Sequence, residues 1–459
     1  MRTSTSNLGR DQLMHSYSSG GIGRATGRGV TAILAALVLA ACSTDKLTQV
    51  ETPDQITPEQ ANSPTGAAAL RAAALGNFSN WFAGDNAGNG IGLNIATGLL
   101  TDEMLSARGG TEHMDSRAVN EAVFPASSVW GLFGQANTQI IRALTAVTQY
   151  APDSPTKVTQ IAELYMLQGF TYILAGEAYC NGVPVNVTAD DANPATVIVT
   201  NDQLFDMAIA NFDTALTKAA ATDTKIINAA LVGKARALVD KNQYSDAAGL
   251  LTPVTTDFVY NALFSNTTIV NDVYDWMFAT PNFGPSDKEG VNGLDYVSSG
   301  DPRIKVDATK TRPGQDGTPI WVQQMYTTGN APVALATGIE ARLIEAEALL
   351  KAGDAGWLTK LNDARASGLG GTLAPLVDPG TDPARVDLLF RERAFWMYFT
   401  SHRIGDLRRL VRQYGRGPET VWPTGNYFKG GVYGTDQNLP PAQAEKNNPG
   451  YTGCADRAA

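Results

Sequence analysis

The sequence predicts a mainly α-helical protein, built on a tetratricopeptide-like scaffold of helix pairs with long irregular loops. Apolar residues recur at three-to-four-residue spacing over most of the chain beyond residue 67, as they do in amphipathic helices. Small alanines and glycines alternate with bulky residues within these segments, which lets paired helices approach closely. Since the repeat period is irregular, the prediction is of a scaffold and not of a regular repeat array.

Helical periodicity marks a series of segments along the chain. They are 67–82, 91–106, 129–150, 158–179, 201–220, 228–241, 245–251, 338–352, 356–367 and 383–414. The alternation of small and bulky residues is clearest at 208–216 and 229–238, and a third piece follows at 244–248. These neighbouring pieces are the predicted helix pairs.

Two long segments, 182–200 and 252–337, break the helical pattern. The second is rich in Gly, Pro, Asn and Asp, and it also carries many aromatic residues. These are Phe258, Tyr260, Phe264, Tyr274, Trp276, Phe278, Phe283, Tyr296, Trp321 and Tyr326. Long loops in compact proteins are usually functional or disordered, and this aromatic content argues against disorder. The segment 252–337 is therefore the predicted functional insertion.

The N-terminus is typical of a bacterial lipoprotein. Residues 1–41 combine four arginines with an apolar run at 30–41, which is shorter than the about 20 residues that a membrane-spanning helix needs. The run ends in Leu39-Ala40-Ala41-Cys42, a lipobox, so Cys42 is the predicted lipidation site. The residue after Cys42 is Ser43. An Asp at this position favours retention in the inner membrane, so Ser43 predicts an outer-membrane location. Either Met1 or Met14 could be the true start.

Three domains follow from these boundaries: a signal peptide at 1–41, a lipidated polar tether at 42–66 and a helical body at 67–459. The tether is polar, carries prolines and has no period, as expected of a linker. The chain has a formal net charge of −10, and removing the basic signal makes it more acidic. A DNA or RNA partner is thereby disfavoured.

Cys180 and Cys454 are a candidate disulfide in an oxidising compartment, and two unrelated thiols remain the alternative.

Motifs for metal-dependent or nucleophilic catalysis are missing from the sequence. It has three histidines and contains no H-E-x-x-H, G-x-S-x-G or G-x-x-x-x-G-K-[ST] motif, so we expect no cofactor and no metal. Catalysis by a pair of carboxylates, as in glycoside hydrolases, remains an alternative because Asp102, Glu103, Asp272 and Asp275 could meet in space. A surface glycosidase is therefore one alternative function.

Several further motifs occur in a fixed order between residue 67 and the C-terminus. They are ELYMLQGFTY at 163–172 with YCNGVP at 179–184, DPR at 301–303, ARLIEAEALL at 341–350 with GD at 353–354 and LNDARA at 361–366, RERAFW at 391–396 with HRIGDLRR at 402–409, and NLPP at 438–441 with NNPGY at 447–451. In this order, and behind a lipobox, they resemble the SusD/RagB family of surface lipoproteins.

The resemblance implies a non-enzymatic, lipid-anchored protein of the outer membrane that captures a nutrient, with an oligosaccharide favoured over a peptide. It also implies delivery to a partner barrel, a SusC-like TonB-dependent transporter. Charged residues of the R-E-R and H-R-x-x-D-L-R-R blocks recur at helical spacing, and we expect them to pair with one another inside the fold. A tetratricopeptide-like adaptor that binds only protein is the remaining alternative.

Sugars present apolar C–H faces ringed by hydroxyl groups, so a capture site needs aromatic platforms and polar side chains. The loop segments contain both. The predicted ligand-binding residues are Trp276, Trp321, Tyr274, Tyr296 and Tyr326, with Asp102, Glu103 and Arg108 from a second loop. For each aromatic residue, plain core packing is the competing interpretation.

Overall fold

The computed structural model describes residues 58–85, 90–188, 195–448 and 450–459. The predicted signal peptide, Cys42 and the tether as far as residue 57 lie outside the described residues. Residues Thr57–Ala459 form one compact unit.

The described chain is mainly α-helical, which confirms the predicted fold class. The helices are α1 (Pro58–Ala61), α2 (Pro64–Ala83), α3 (Leu93–Leu100), α4 (Glu112–Asp115), α5 (Ala126–Tyr150), α6 (Pro155–Ala178), α7 (Asn201–Lys218), α8 (Thr224–Asp240), α9 (Tyr244–Gly249), α10 (Gly338–Lys351), α11 (Gly356–Ala366), α12 (Asp382–Trp396) and α13 (Arg403–Tyr414). A π-helix spans Tyr274–Ala279, and short 3₁₀ turns span Pro418–Thr420 and Gln443–Asn447.

Helix α2 begins at Pro64, three residues before the predicted start of the body. The side chain of Ser63 accepts a hydrogen bond from the Gly66 N–H (3.0 Å), and a proline in the first turn has no N–H that needs a partner. With α1 also helical, residues that the sequence assigned to the tether belong to secondary structure.

Helices α6, α7 and α8 pack as the predicted helix pairs, through glycines that face aromatic rings. A Cβ atom at Gly169 would lie 2.7 Å from the Phe212 ring, and one at Gly233 would lie 2.3 Å from the same ring. Gly176 meets Phe205 in the same way, at 2.6 Å. Glycine therefore lets the helix backbones approach closely enough to bury both phenylalanines, and the tetratricopeptide-like packing is confirmed.

The predicted helix 383–414 is wrong as a single element, because the chain breaks between α12 and α13. Within the break, Phe399 (φ 59°) and Ser401 (φ 63°) adopt the left-handed conformation, which ends a right-handed helix. The predicted helix 91–106 is also too long, since α3 ends at Leu100 and a strand follows. In both places apolar residues continue beyond the end of the helix and extend the apparent period.

The two segments without helical period form short antiparallel strands, which pair with one another or with β1 and β2 from earlier in the chain. The strands are β1 (Gly84–Asp85), β2 (Met104–Ser106), β3 (Val183–Asn186), β4 (Thr196–Val199), β5 (Val259–Ala262), β6 (Val270–Asn271), β7 (Phe283–Pro285), β8 (Val306–Pro313), β9 (Pro319–Gln323) and β10 (Val333–Thr337). They pair as β1–β6, β2–β7, β3–β4, β5–β10 and β8–β9. The long insertion is therefore ordered and layered against the helices.

A disulfide bond ties the C-terminal segment to the end of α6. Cys180 is bonded to Cys454, with Cα atoms 5.9 Å apart. Beside it, the Cys180 N–H donates to the Leu439 carbonyl (3.0 Å), and the Asn181 N–H donates to the Asp456 carbonyl (3.1 Å). None of the helices within the described ranges combines the length and apolar character needed to cross a bilayer.

Candidate solute-binding site

The long insertion and strand β2 build a layered structure, which we call the loop face and which consists of strands β2, β7, β8 and β9 with the π-helix. Strand β2 pairs with β7, β8 pairs with β9, and β9 packs on both β7 and the π-helix. A Cβ atom at Gly284 of β7 would lie 2.6 Å from Cβ of Ile320 on β9, so glycine permits this close packing. The loop face gathers residues from both segments in which the sequence placed the ligand site.

The π-helix presents two stacked aromatic rings. Its wide turn is closed by the Thr280 N–H, which donates to the Asp275 carbonyl five residues earlier (2.8 Å). Tyr274 and Phe278 stack with ring centroids 5.9 Å apart and an interplanar angle of 27°, and both remain partly exposed. Single-turn π-helices occur frequently at functional sites. Tyr274 was predicted from the sequence and Phe278 was not, although its i+4 spacing from Tyr274 was the available signal.

Trp321 lies on the opposite side of β9 from the packed Ile320. Successive side chains of a strand point to opposite faces, so burial of Ile320 against β7 directs Trp321 away from that layer. Trp321 pairs with Thr311 of β8 and is partly exposed. Of the five aromatic residues predicted as platforms, Trp321 and Tyr274 are the two that remain partly exposed.

Arg108 and Trp276 were both predicted as ligand residues, and the structure brings them into contact. The Arg108 guanidinium lies 4.8 Å from the ring centroids of both Trp276 and Phe124. Trp276 also packs on Phe283 (6.0 Å) and is 8% exposed. The expected open indole platform is therefore wrong for Trp276, because its ring is covered by the arginine and by neighbouring rings.

Tyr296 and Tyr326 are core residues, which corrects their prediction as platforms. Tyr296 is fully buried between Phe395 (5.2 Å) and Tyr398 (4.7 Å). Tyr326 is 8% exposed and lies in a turn held by Gln323, whose side chain bonds both the N–H and the carbonyl of Tyr326. Neither ring offers a face to a solute.

Asp102 and Glu103 are buried as well, so their prediction as rim residues is wrong. Asp102 binds the Arg403 guanidinium through both oxygens (2.6 and 2.8 Å). Glu103 accepts a hydrogen bond from the Phe399 N–H (3.2 Å), and burial raises the pKa of its carboxyl to about 8. Both carboxyls fix the loop before β2 to the α12–α13 break.

Asp115 and Glu289 form a second buried carboxyl pair under the hairpin at 424–434, and no sequence motif predicted it. Burial raises the pKa of both carboxyls, to about 6 for Asp115. Tyr427 donates to Asp115 and Tyr433 donates to Glu289, each at 3.0 Å.

The charged blocks of α12 and α13 pair inside the fold, as expected. Asp406 accepts from Arg393 (2.9 Å) and Arg409 (2.8 Å), and Arg409 also binds Glu347 (2.5 Å). Burial alone would raise the pKa of Asp406, but the two arginines outweigh it and hold that pKa well below its usual range. Glu392 and Arg403 instead bind partners outside these blocks, which are Arg303 (2.8 Å) and Asp102 (2.6 Å). These residues clamp the helices together.

The fold is similar to that of SusD-like proteins, and the resemblance seen in the sequence is confirmed at the level of the fold. A SusD superfamily protein from Parabacteroides distasonis superposes with a TM-score of 0.64 at 13% identity, over 86% of this chain and 100% of that chain. A SusD-like carbohydrate-binding protein from Bacteroides fragilis gives 0.63 at 14%, over 84% and 98%. Surface glycan-binding protein A from Bacteroides uniformis gives 0.60 at 16%, over 85% and 99%. No family model and no curated protein matches the sequence.

Proposed function

We propose that the protein is a solute-binding protein that captures a glycan on the loop face. The observation that carries this proposal is the partly exposed Trp321 on a hairpin that packs against the π-helix bearing the stacked Tyr274 and Phe278. Aromatic faces of this kind suit the apolar C–H faces of sugar rings. The carbohydrate-binding and glycan-binding descriptions of structures with the same fold support an oligosaccharide over a peptide.

Binding takes place without turnover in this proposal. The structures with the same fold are described as carbohydrate-binding and glycan-binding proteins. A glycan and peptide array on the detergent-solubilised protein tests the solute class, and a reducing-end assay on each bound glycan tests turnover. We expect glycan signals without released reducing ends. Release would support the glycosidase alternative, and an array without glycan signals would support the protein-binding adaptor.

The proposed location is the outer membrane, with a lipid on Cys42. Residues 58 onward begin the helical body, so the chain between Cys42 and α1 is the link to the membrane. Metabolic labelling with a fatty-acid analogue should mark the wild-type protein and leave Cys42→Ala unlabelled. Labelling of the variant, or fractionation of the wild type with the inner membrane, would contradict this location.

The proposed partner is a SusC-like TonB-dependent barrel, over which the protein sits and to which it passes its glycan. A lipid tether supports this arrangement because it holds the body at a high effective concentration near membrane partners. Affinity purification from mild detergent, with mass spectrometry of what is retained, should recover a barrel of this class. Repeated recovery without one would favour a free-standing protein.

A further inference from the structure

The hairpin at 424–434, which we call the tyrosine hairpin, is bonded to the body at both ends of its main chain. The Thr424 carbonyl accepts a hydrogen bond from the Val291 N–H (3.1 Å), and the Gly434 N–H donates to the Ser116 carbonyl (2.7 Å). Between these anchors, its main-chain hydrogen bonds to the rest of the described chain are made within the hairpin itself. The position of the middle of the hairpin therefore depends on what its side chains bind.

Two tyrosines attach the middle of the tyrosine hairpin to buried carboxyl groups. Tyr427 donates to Oδ2 of Asp115, and Tyr433 donates to Oε1 of Glu289, each at 3.0 Å. Asp115 is fully buried and Glu289 is 6% exposed. The carboxyls that hold the hairpin are therefore shielded from water.

One oxygen of this carboxyl pair has no proton donor. Oδ1 of Asp115 is buried, and no donor among the described residues bonds to it. A protonated Glu289 would supply such a donor. Burial raises the pKa of Glu289 well above its usual range, and the negative charge of Asp115 raises it further. The pair therefore keeps a proton at pH values where an exposed carboxyl has lost it.

The charged groups around the pair include one lysine, which also ties the hairpin to the loop face. Lys429 binds Asp316, in the turn between β8 and β9, at 2.5 Å and lies 3.9 Å from Glu112. Its positive charge lowers the pKa of Asp115, but less than burial raises it. His113, on the same short helix as Asp115, bonds to main-chain atoms through both ring nitrogens.

We propose that the tyrosine hairpin is a pH-sensitive strap beside the loop face, held down while Asp115 and Glu289 retain a proton between them and loosened when both are ionised. Two buried negative charges side by side are costly, and lifting the hairpin lets water reach them. The strap is a conformational device that goes beyond solute capture and does not depend on the identity of the solute.

Rising pH is the direction that loosens the strap. The tyrosine hydroxyls favour ionised carboxylates and so lower the pKa of both groups, but burial is the larger effect and leaves both raised. The folded protein therefore binds protons on the pair more tightly than the unfolded chain, in which the pKa of Asp115 is 3.8. The contribution of the protonated pair to the free energy of unfolding is fully present below that pH and is lost as pH rises through about 6 and beyond.

Spin labelling of the full-length chain tests the strap. Phe428 is 49% exposed in the hairpin, and Cys180 is bonded to Cys454, so Phe428→Cys in a Cys42→Ala background leaves one free thiol for a nitroxide. From pH 5 to 9, we expect the electron paramagnetic resonance spectrum to lose its immobile component, and to regain it on return to pH 5.

The same label on Val377→Cys, an 83% exposed site outside the hairpin, is the positional control and should show no pH response. Unchanged mobility at residue 428 over this range, or an equal response at residue 377, would overturn the inference.

Glu289→Gln assigns the response to the carboxyl pair. Glutamine still accepts from Tyr433, and its amide donates a hydrogen bond without a titrating proton, so the label should stay immobile from pH 5 to 9. Glu103→Gln is the matched control, because the pKa of Glu103, about 8, lies in the same range while its carboxyl bonds elsewhere. Persistence of the response in Glu289→Gln, or its loss in Glu103→Gln, would overturn the inference.

A second variant decides the outcome if Glu289→Gln lowers the melting temperature. Tyr433→Phe removes one attachment of the hairpin and leaves both carboxyls in place. We expect the label at residue 428 to be mobile already at pH 5 in this variant. A label that stays as immobile as in the parent protein would show that the tyrosine does not hold the hairpin, and would overturn the inference.

Discussion

Arg403 and Asp102, distant in sequence, form a two-pronged ion pair, with Nε 2.6 Å from Oδ1 and Nη2 2.8 Å from Oδ2. Both side chains are buried. The pair joins the loop before β2 to the start of α13, and thereby anchors the loop face to the helical body. The negative charge of Asp102 therefore stabilises the part of the fold that supports the candidate site.

Asp102→Asn should destabilise the protein by about 3–5 kcal/mol, because it leaves the buried Arg403 charge without its counter-ion. Urea denaturation followed by circular dichroism measures this. Asp387→Asn removes an exposed partner of Arg416 and should cost less than about 1 kcal/mol. Similar small losses in the two variants would show that the buried pair does not anchor the loop.

Glu103→Gln should stabilise the protein at alkaline pH and change little at pH 5. The folded-state pKa of Glu103 is about 8, above the usual 4.5, so the folded protein binds the proton more tightly than the unfolded chain. The contribution of protonated Glu103 to the free energy of unfolding is therefore fully present below pH 4.5 and is lost as pH rises towards 8. Gln mimics the protonated form at every pH. The melting temperature of variant minus wild type, measured at pH 5 and 8.5, should grow with pH, and a constant difference would refute the assignment.

Gly233→Ala should destabilise the helix scaffold by about 1–3 kcal/mol, since the new methyl group would overlap the Phe212 ring and force α7 and α8 apart. Gly131→Ala provides the control within α5, where no atom lies within 4 Å of the added Cβ. That change should stabilise the protein by about 0.5–1 kcal/mol through helix propensity. Thermal melts of both variants check the contrast, and equal shifts would contradict glycine-mediated packing.

Reduction of the Cys180–Cys454 bond should lower stability by about 5 kcal/mol at most, because the bond closes a loop with a sequence separation of 274 residues. Electrophoretic mobility should shift on reduction, and the unfolded, unreduced protein should show no titratable thiol from this pair. Two free thiols would rule out the bond.

The helices could be predicted from the sequence because their burial imposes a period on the residues. The α12–α13 break could not, since Phe399 and Ser401 are not glycine and give no local signal for a left-handed backbone. Trp321 and Tyr296 show why the exposed residues of the site could not be predicted from the sequence. Both sit in a segment without helical period, and the strand pairing that buries Ile320 and leaves Trp321 partly exposed depends on contacts distant in sequence.

The most direct test of the account is calorimetric titration of an array-identified glycan into Trp321→Ala and Trp276→Ala. Stacking on an aromatic face is worth about 1 kcal/mol, so Trp321→Ala should weaken binding about fivefold while the melting temperature stays within a few degrees of wild type. Trp276→Ala removes a packed ring and should lower the free energy of unfolding by about 3–5 kcal/mol. Unchanged glycan affinity in a folded Trp321→Ala protein would contradict a binding site on the loop face.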